Sequence, residues 1–163
     1  MAAPGCSPRV RVAAVIPYEG GLLTVRHVKD GVSYHLLPGG GVEAGETIGA
    51  SLVREVREET GVECELVGPL FINDSIAPDA TRYVIQLTFL ARAVGGAVTS
   101  KPGDPRVAAV EVVALDELET LDLRPPMATE LVRSAANRFT DRARYLGPLW
   151  SEHEGGTTET DPV

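Results

Sequence analysis

The chain has 163 residues, 44% of them hydrophobic and 23% charged, with a formal net charge of −8. This length and composition suit one globular domain and exclude a disordered chain. The acidic balance speaks against a nonspecific nucleic-acid or anionic-membrane surface, which needs clustered Lys and Arg, but permits a phosphorylated small molecule if a cation supplies positive charge.

In chain order, residues 9–17 (RVRVAAVIP) read as a strand, alternating at first and then continuously apolar. A turn at Glu19-Gly20-Gly21 leads to a second strand over residues 22–28, so the pair reads as a hairpin. Residues 34–37 form a short apolar piece that ends at Pro38 and the glycines Gly39, Gly40 and Gly41. Residues 47–60 become helical, with Ile48, Leu52, Val53 and Val56 recurring at spacings of three and four. Glu46 is placed as a first-turn acid favouring the helix dipole, and Gly61 as the C-terminal stop. Residues 62–76 and 82–94 are long β-rich runs joined by APDAT, which contains Pro78 and Asp79. Residues 107–115 are another strand candidate, DELETL a short helix, and Pro125-Pro126 opens a helix to about Phe139.

The tail from Ser151 is polar and expected to be mobile, so the reading is one domain over 1–150 and a tail over 151–163. Hairpins with interposed helices predict an α+β fold, an α/β/α sandwich around a mixed sheet. Cys6 and Cys64 are too few for a disulfide framework or a zinc site, which points to a reducing compartment. The start lacks a signal-peptide core, and no run approaches the roughly 20 apolar residues of a membrane span. A soluble, cytoplasmic protein with no membrane or nucleic-acid partner is expected.

Glu55, Glu58 and Glu59 crowd three carboxylates onto little more than one turn, where like charges destabilise a helix. On a wheel of about 100° per residue with Ile48 at zero, Leu52, Val56 and Val53 fall between roughly 40° and 140°, the core face. The acids fall at about 340°, 280° and 20°, beside that face, whereas Arg54 and Arg57 lie on the other flank near 240° and 180°. Glu59 nearly coincides with the apolar direction, and a carboxylate pressed against an apolar edge wants a partner. A solvated acidic face and a cation site both remain open on the wheel alone. The preceding loop, LPGGGVEAGE, carries Gly39, Gly40, Gly41 and Gly45, and glycine permits close main-chain approach to phosphates or metals.

Taken together, Gly40, Glu46, Arg54, Glu55, Val56, Glu58, Glu59, Gly61 and Val62 match G-x5-E-x7-R-E-U-x-E-E-x-G-U (U apolar) at all nine defined positions over 23 residues. The stretch resembles the box of the Nudix hydrolases, the MutT-like family, and the flanking order of strands and C-terminal helix is similar to that family's α/β/α sandwich. The resemblance implies that Glu55, Glu58 and Glu59, with the backbone carbonyl of Gly39, bind Mg²⁺ (or Mn²⁺), and that Glu46 and Arg54 brace loop against helix. It implies hydrolysis of a nucleoside diphosphate linked to another moiety, water attacking phosphorus while metals stabilise the attacking and leaving oxygens. For the general base Glu55 is the first choice and Glu58 an alternative. A loop acid such as Asp104 is a third, its other reading being a Pro-flanked turn residue.

Arg26 and His27 on the second strand, and Arg82 after the turn, are candidate phosphate contacts or solvent-facing residues. Tyr34 and Phe71 are candidate base-stacking residues or core aromatics. Tyr145 and Trp150 are read as anchors of the C-terminus or of an oligomer contact. Pro78 falls 16 residues after Val62, where ADP-ribose diphosphatases of the family tend to have a proline. The tyrosine typical of the dinucleoside-polyphosphate group is replaced by Ala80, and the signatures of the NADH and coenzyme A groups are absent. ADP-ribose, split to AMP and ribose 5-phosphate, is therefore the expected substrate. An oxidised or ordinary nucleoside triphosphate is the alternative enzyme reading. A non-catalytic nucleotide sensor is the alternative outside enzymes, and a homodimer is a family-level expectation.

Overall fold

The computed structural model describes residues 7–150, so Cys6 and the tail over 151–163 lie outside the described residues. Strands β1 (Arg9–Val15), β2 (Pro17–Tyr18), β3 (Gly21–Lys29), β4 (Val32–Leu36) and β5 (Gly39–Gly41) precede helix α1 (Ile48–Thr60). After it come β6 (Val62–Ile76), β7 (Tyr83–Gly96), β8 (Val107–Val113), a 3₁₀ turn at Leu118–Thr120, α2 (Ala128–Ala136) and β9 (Arg144–Pro148). One mixed sheet runs β5-β1-β7-β6-β9, with β1 parallel to β7 and β6 parallel to β9. In a second, antiparallel sheet β3 pairs with β2, β4 and β8. No helix among the described residues is long and apolar enough to cross a membrane.

The continuous apolar run of the first strand has a packing cause. Val12, Ala14 and Ile16 bury against Leu52 and Val56 of α1, while Ala13 and Val15 bury with Leu118, Met127 and Leu131 on the other face. A strand covered on both sides needs apolar side chains at every position. This is the expected sandwich.

Several expectations about element ends need correction. The Pro125-Pro126 pair precedes α2, which begins at Ala128 after the cap residue Met127. The three consecutive glycines are β5, an edge strand with no side-chain pattern to read, held by pairing of Gly39, Gly40 and Gly41 with Ala13, Val12 and Arg11. Strand β9, read as an anchor only, docks along the free edge of β6, with Ile72 opposite Tyr145.

Helix α1 starts where Thr47 Oγ1 accepts the Ala50 N–H at 3.1 Å, a side-chain N-cap. Glu46 therefore precedes the helix and is not a first-turn acid. The helix ends at Gly61, in the left-handed region at φ 78°, whose N–H donates to the Arg57 carbonyl. Its buried residues are Ser51, Leu52, Val56, Glu59 and Thr60, so the core direction is rotated toward Glu59. Ile48 and Val53, at the two margins of the expected core face, are exposed.

Candidate active site

Strand β5 packs against α1. Glu59, only 2% exposed, accepts the Gly39 N–H on its Oε2 at 2.9 Å. Burial is the main cause that pushes its carboxyl up to about 7. The Arg11 guanidinium and the Gly39 N–H oppose this, and nearby Glu55 and Asp104 reinforce it. The Glu55 carboxylate lies directly over Gly40: a Cβ there would stand 2.3 Å from its Cδ, so the box glycine leaves room for an acid rather than for a turn. A Cβ on Gly39 would meet the Val12 carbonyl oxygen at 2.0 Å, which explains why the strand crossing also excludes side chains.

Arg54 gathers the remaining acids. Its Nε and Nη2 donate to the two oxygens of Glu46 at 2.8 and 2.9 Å, and its Nη1 to Glu55 at 2.7 Å and Glu58 at 3.4 Å. The two-pronged bond holds the Glu46 carboxyl down to about 2, and the surrounding acids raise the pKa of Arg54. The wheel set Arg54 apart from the three acids. In the fold its long side chain crosses that distance and stands among them, which a projection of Cβ directions does not show.

The loop after β7 closes one side. Gly103 N–H donates to the Glu58 carbonyl at 2.8 Å, and Thr99 N–H to that of Thr60 at 2.9 Å, which fixes the loop on the C-terminal turn of α1. Burial opposes ionisation of Asp104, but hydrogen bonds from the Arg106 side chain and N–H outweigh it and hold the carboxyl below the usual range. On β3, burial lowers His27 to about 4 against the opposing field of Asp104, and its Nε2 is buried without a partner. Its ring lies 5.6 Å from that of Tyr34, over whose face the Arg124 guanidinium stacks at 4.0 Å.

The other candidates have the following surroundings. Arg26 is tied to Glu111 on β8 at 2.8 Å, which also pairs with His35 at 2.7 Å. Pro78 and Arg82 are exposed in the β6–β7 turn. Arg82 is six residues along from Thr88, which lies at the level of Ala13 and Gly39, so about 20 Å separates turn and acids at about 3.4 Å per residue. Phe71 is buried in the core, with Arg144 over its ring. Tyr145 is exposed and bonds Asp74, as does Tyr83, so it anchors β9. Trp150 is half-buried at the end of the described chain.

The donors at α1 and β5 are carboxylates and a carbonyl, the oxygen set of a hard cation such as Mg²⁺. Among the described residues no three acidic, cysteine or histidine side chains enclose an ion by themselves. Mg²⁺ does not require a closed protein cage, because it keeps several waters and takes substrate phosphates as further ligands. The acids fit the group, with Glu59 buried and Gly40 cleared for Glu55.

The sequence pattern of the NUDIX domain matches residues 7–134. The chain belongs to the NUDIX family. It is 32% identical over 128 residues to "Phosphatase NudJ" of Escherichia coli K12, covering 77% of this chain and 82% of that protein. A NUDIX hydrolase from Nitrosomonas europaea shares the fold with a TM-score of 0.71 and 23% identity, over 81% of this chain and 90% of that one. An ADP-ribose pyrophosphatase from Streptococcus suis does so with a TM-score of 0.64 and 24% identity, over 85% and 99%. The chain is thus a Nudix hydrolase of nucleoside diphosphate derivatives, in a family that generally uses divalent metal ions.

Sequence reading missed Arg11, Arg106 and Arg124. Arg11 carried a signal, a cation on an alternating strand whose neighbours are apolar. Arg124 carried none, since only the return of the segment before α2 along β4 brings it to Tyr34.

Proposed function

We propose that this Nudix hydrolase uses Mg²⁺ at Glu55, Glu58, Glu59 and the Gly39 carbonyl to hydrolyse a nucleoside diphosphate derivative, with ADP-ribose as substrate. The observation that supports the site is the convergence of Glu46, Glu55 and Glu58 on one arginine, beside the buried Glu59. A bound divalent cation supplies charge neutralisation on the diphosphate and a more acidic water. Arg54 holds the acids in register, and Gly39 orients Glu59. Asp104, on the loop over 97–106, adds to the field that raises the Glu59 carboxyl.

The substrate reading rests on the spacing of Pro78 from the box, and the exposed turn leaves that proline about 20 Å along the strand from the acids. A panel of ADP-ribose, NADH, diadenosine polyphosphates, GTP, dCTP and oxidised dGTP at equal concentration tests it. Activity is expected to vanish on chelation and return with Mg²⁺, with AMP and ribose 5-phosphate as products. A triphosphate with kcat/KM more than about tenfold above ADP-ribose, a preference of about 1.4 kcal/mol, sinks the substrate reading and leaves the site reading intact. Persistent binding of nucleotide without turnover would favour the sensor reading instead.

Glu55 is proposed as the general base. Arg106 holds Asp104 ionised and lowers its proton affinity, which weakens it as a base. Asp104→Asn is expected to change kcat by less than about threefold, whereas a general base would cost about 100-fold or more. A loss of about 100-fold with recovery at high pH would transfer the role to Asp104.

A further inference from the structure

A chain of hydrogen bonds reaches the acidic site from the far side of the large sheet. Gln86, on β7 and 3% exposed, donates from Nε2 to Thr88 Oγ1 at 3.3 Å. Its Oε1 accepts from Arg11 Nη1 on β1 at 3.0 Å. Arg11 Nη2 in turn donates to the carbonyls of Gly39 at 3.2 Å and Leu37 at 3.4 Å, on either side of Pro38. Gly39 then donates its N–H to Glu59. Gly39 is held on both sides of its Cα, by a guanidinium on its carbonyl oxygen and by a buried carboxylate on its N–H.

We propose that Gln86 and Arg11 are positioning residues that fix the backbone of Gly39 and, through it, the Glu59 carboxylate. This rests on the reading of Glu59 and the Gly39 carbonyl as cation ligands. Sequence order hides the link, because Gln86 lies far from the box and touches none of its acids. Register creates it: Arg11 stands opposite both Gln86 and Gly41, so one guanidinium spans from β7 to β5. Gln86 is uncharged and nearly fully buried, so it cannot act on a cation by attraction. Its hydrogen-bonded route to the site runs through Arg11.

The test is Mn²⁺ binding without substrate, followed by electron paramagnetic resonance. Gln86→Met keeps charge and approximate shape, so it isolates orientation from electrostatics. The Mn²⁺ dissociation constant is expected to rise about tenfold, the usual scale for partners that orient metal ligands. In an Arg11→Met background the same change is expected to alter it by less than about twofold, because the link is already cut. A wild-type constant in Gln86→Met, or an equal loss in both backgrounds, overturns the relay. Should Gln86→Met not fold, Gln86→Glu retains the acceptor for Arg11 and is expected to bind Mn²⁺ at least as tightly as wild type. Weakening of about tenfold in that variant overturns the relay equally. Wild-type protein that binds no Mn²⁺ overturns the ligand reading itself, and the relay with it.

Discussion

Replacing Glu59 by glutamine is expected to lower turnover at least about 100-fold while flattening the pH dependence of stability of the metal-free protein. The two effects share one cause. Glutamine still accepts the Gly39 N–H and fills the same buried space, but it brings no charge to a cation. In the wild type, burial raises the Glu59 carboxyl from 4.5 to about 7. The folded state therefore binds more protons than the unfolded state within that window, and stability falls as pH rises through it. The contribution is fully present below about 4.5 and lost above about 7, on the order of 3 kcal/mol in all. Urea unfolding in EDTA across that range should show the slope in wild type and not in Glu59→Gln. Equal slopes would mean that Glu59 is not buried as a carboxylate, and near-wild-type turnover would remove it from the ligand set.

Arg54→Lys should be nearly as damaging as loss of a ligand, despite conserving charge. The guanidinium makes two bonds to Glu46 while a third nitrogen reaches Glu55, and Nη2 also donates to the Gly41 carbonyl at 3.3 Å. An ammonium is a point charge and cannot hold this fork. Turnover is expected to fall about 10- to 100-fold, the range for residues that orient metal ligands. In parallel the Glu46 carboxyl, held at about 2 by Arg54, should titrate nearer its ordinary 4.5, a shift measurable by NMR. Turnover within about threefold of wild type would show that the acids keep their places without the brace.

Much of this was legible in the chain itself. The spacing of the glutamates sets them beside the apolar face of one helix, because side-chain direction in a helix follows from residue number alone. The glycines of the loop are required by contacts within about twenty residues, Gly39 with Glu59 and Gly40 with Glu55. Strand pairings that join the two edges of a sheet follow no such local rule. That is why β5 and β9 went unread, and why the pairing of Arg26 with Glu111 across β3 and β8 was not visible. The same holds for Pro78: its spacing from the box is a property of the sequence, but its distance from the acids is set by how far β6 and β7 run before they turn. Local chemistry thus determined which residues are candidates for the reaction, since helix and loop geometry are short-range. Only the tertiary structure decided which residues stand around them, because Arg11, Gln86 and the loop bearing Asp104 come in through long-range sheet register and loop packing.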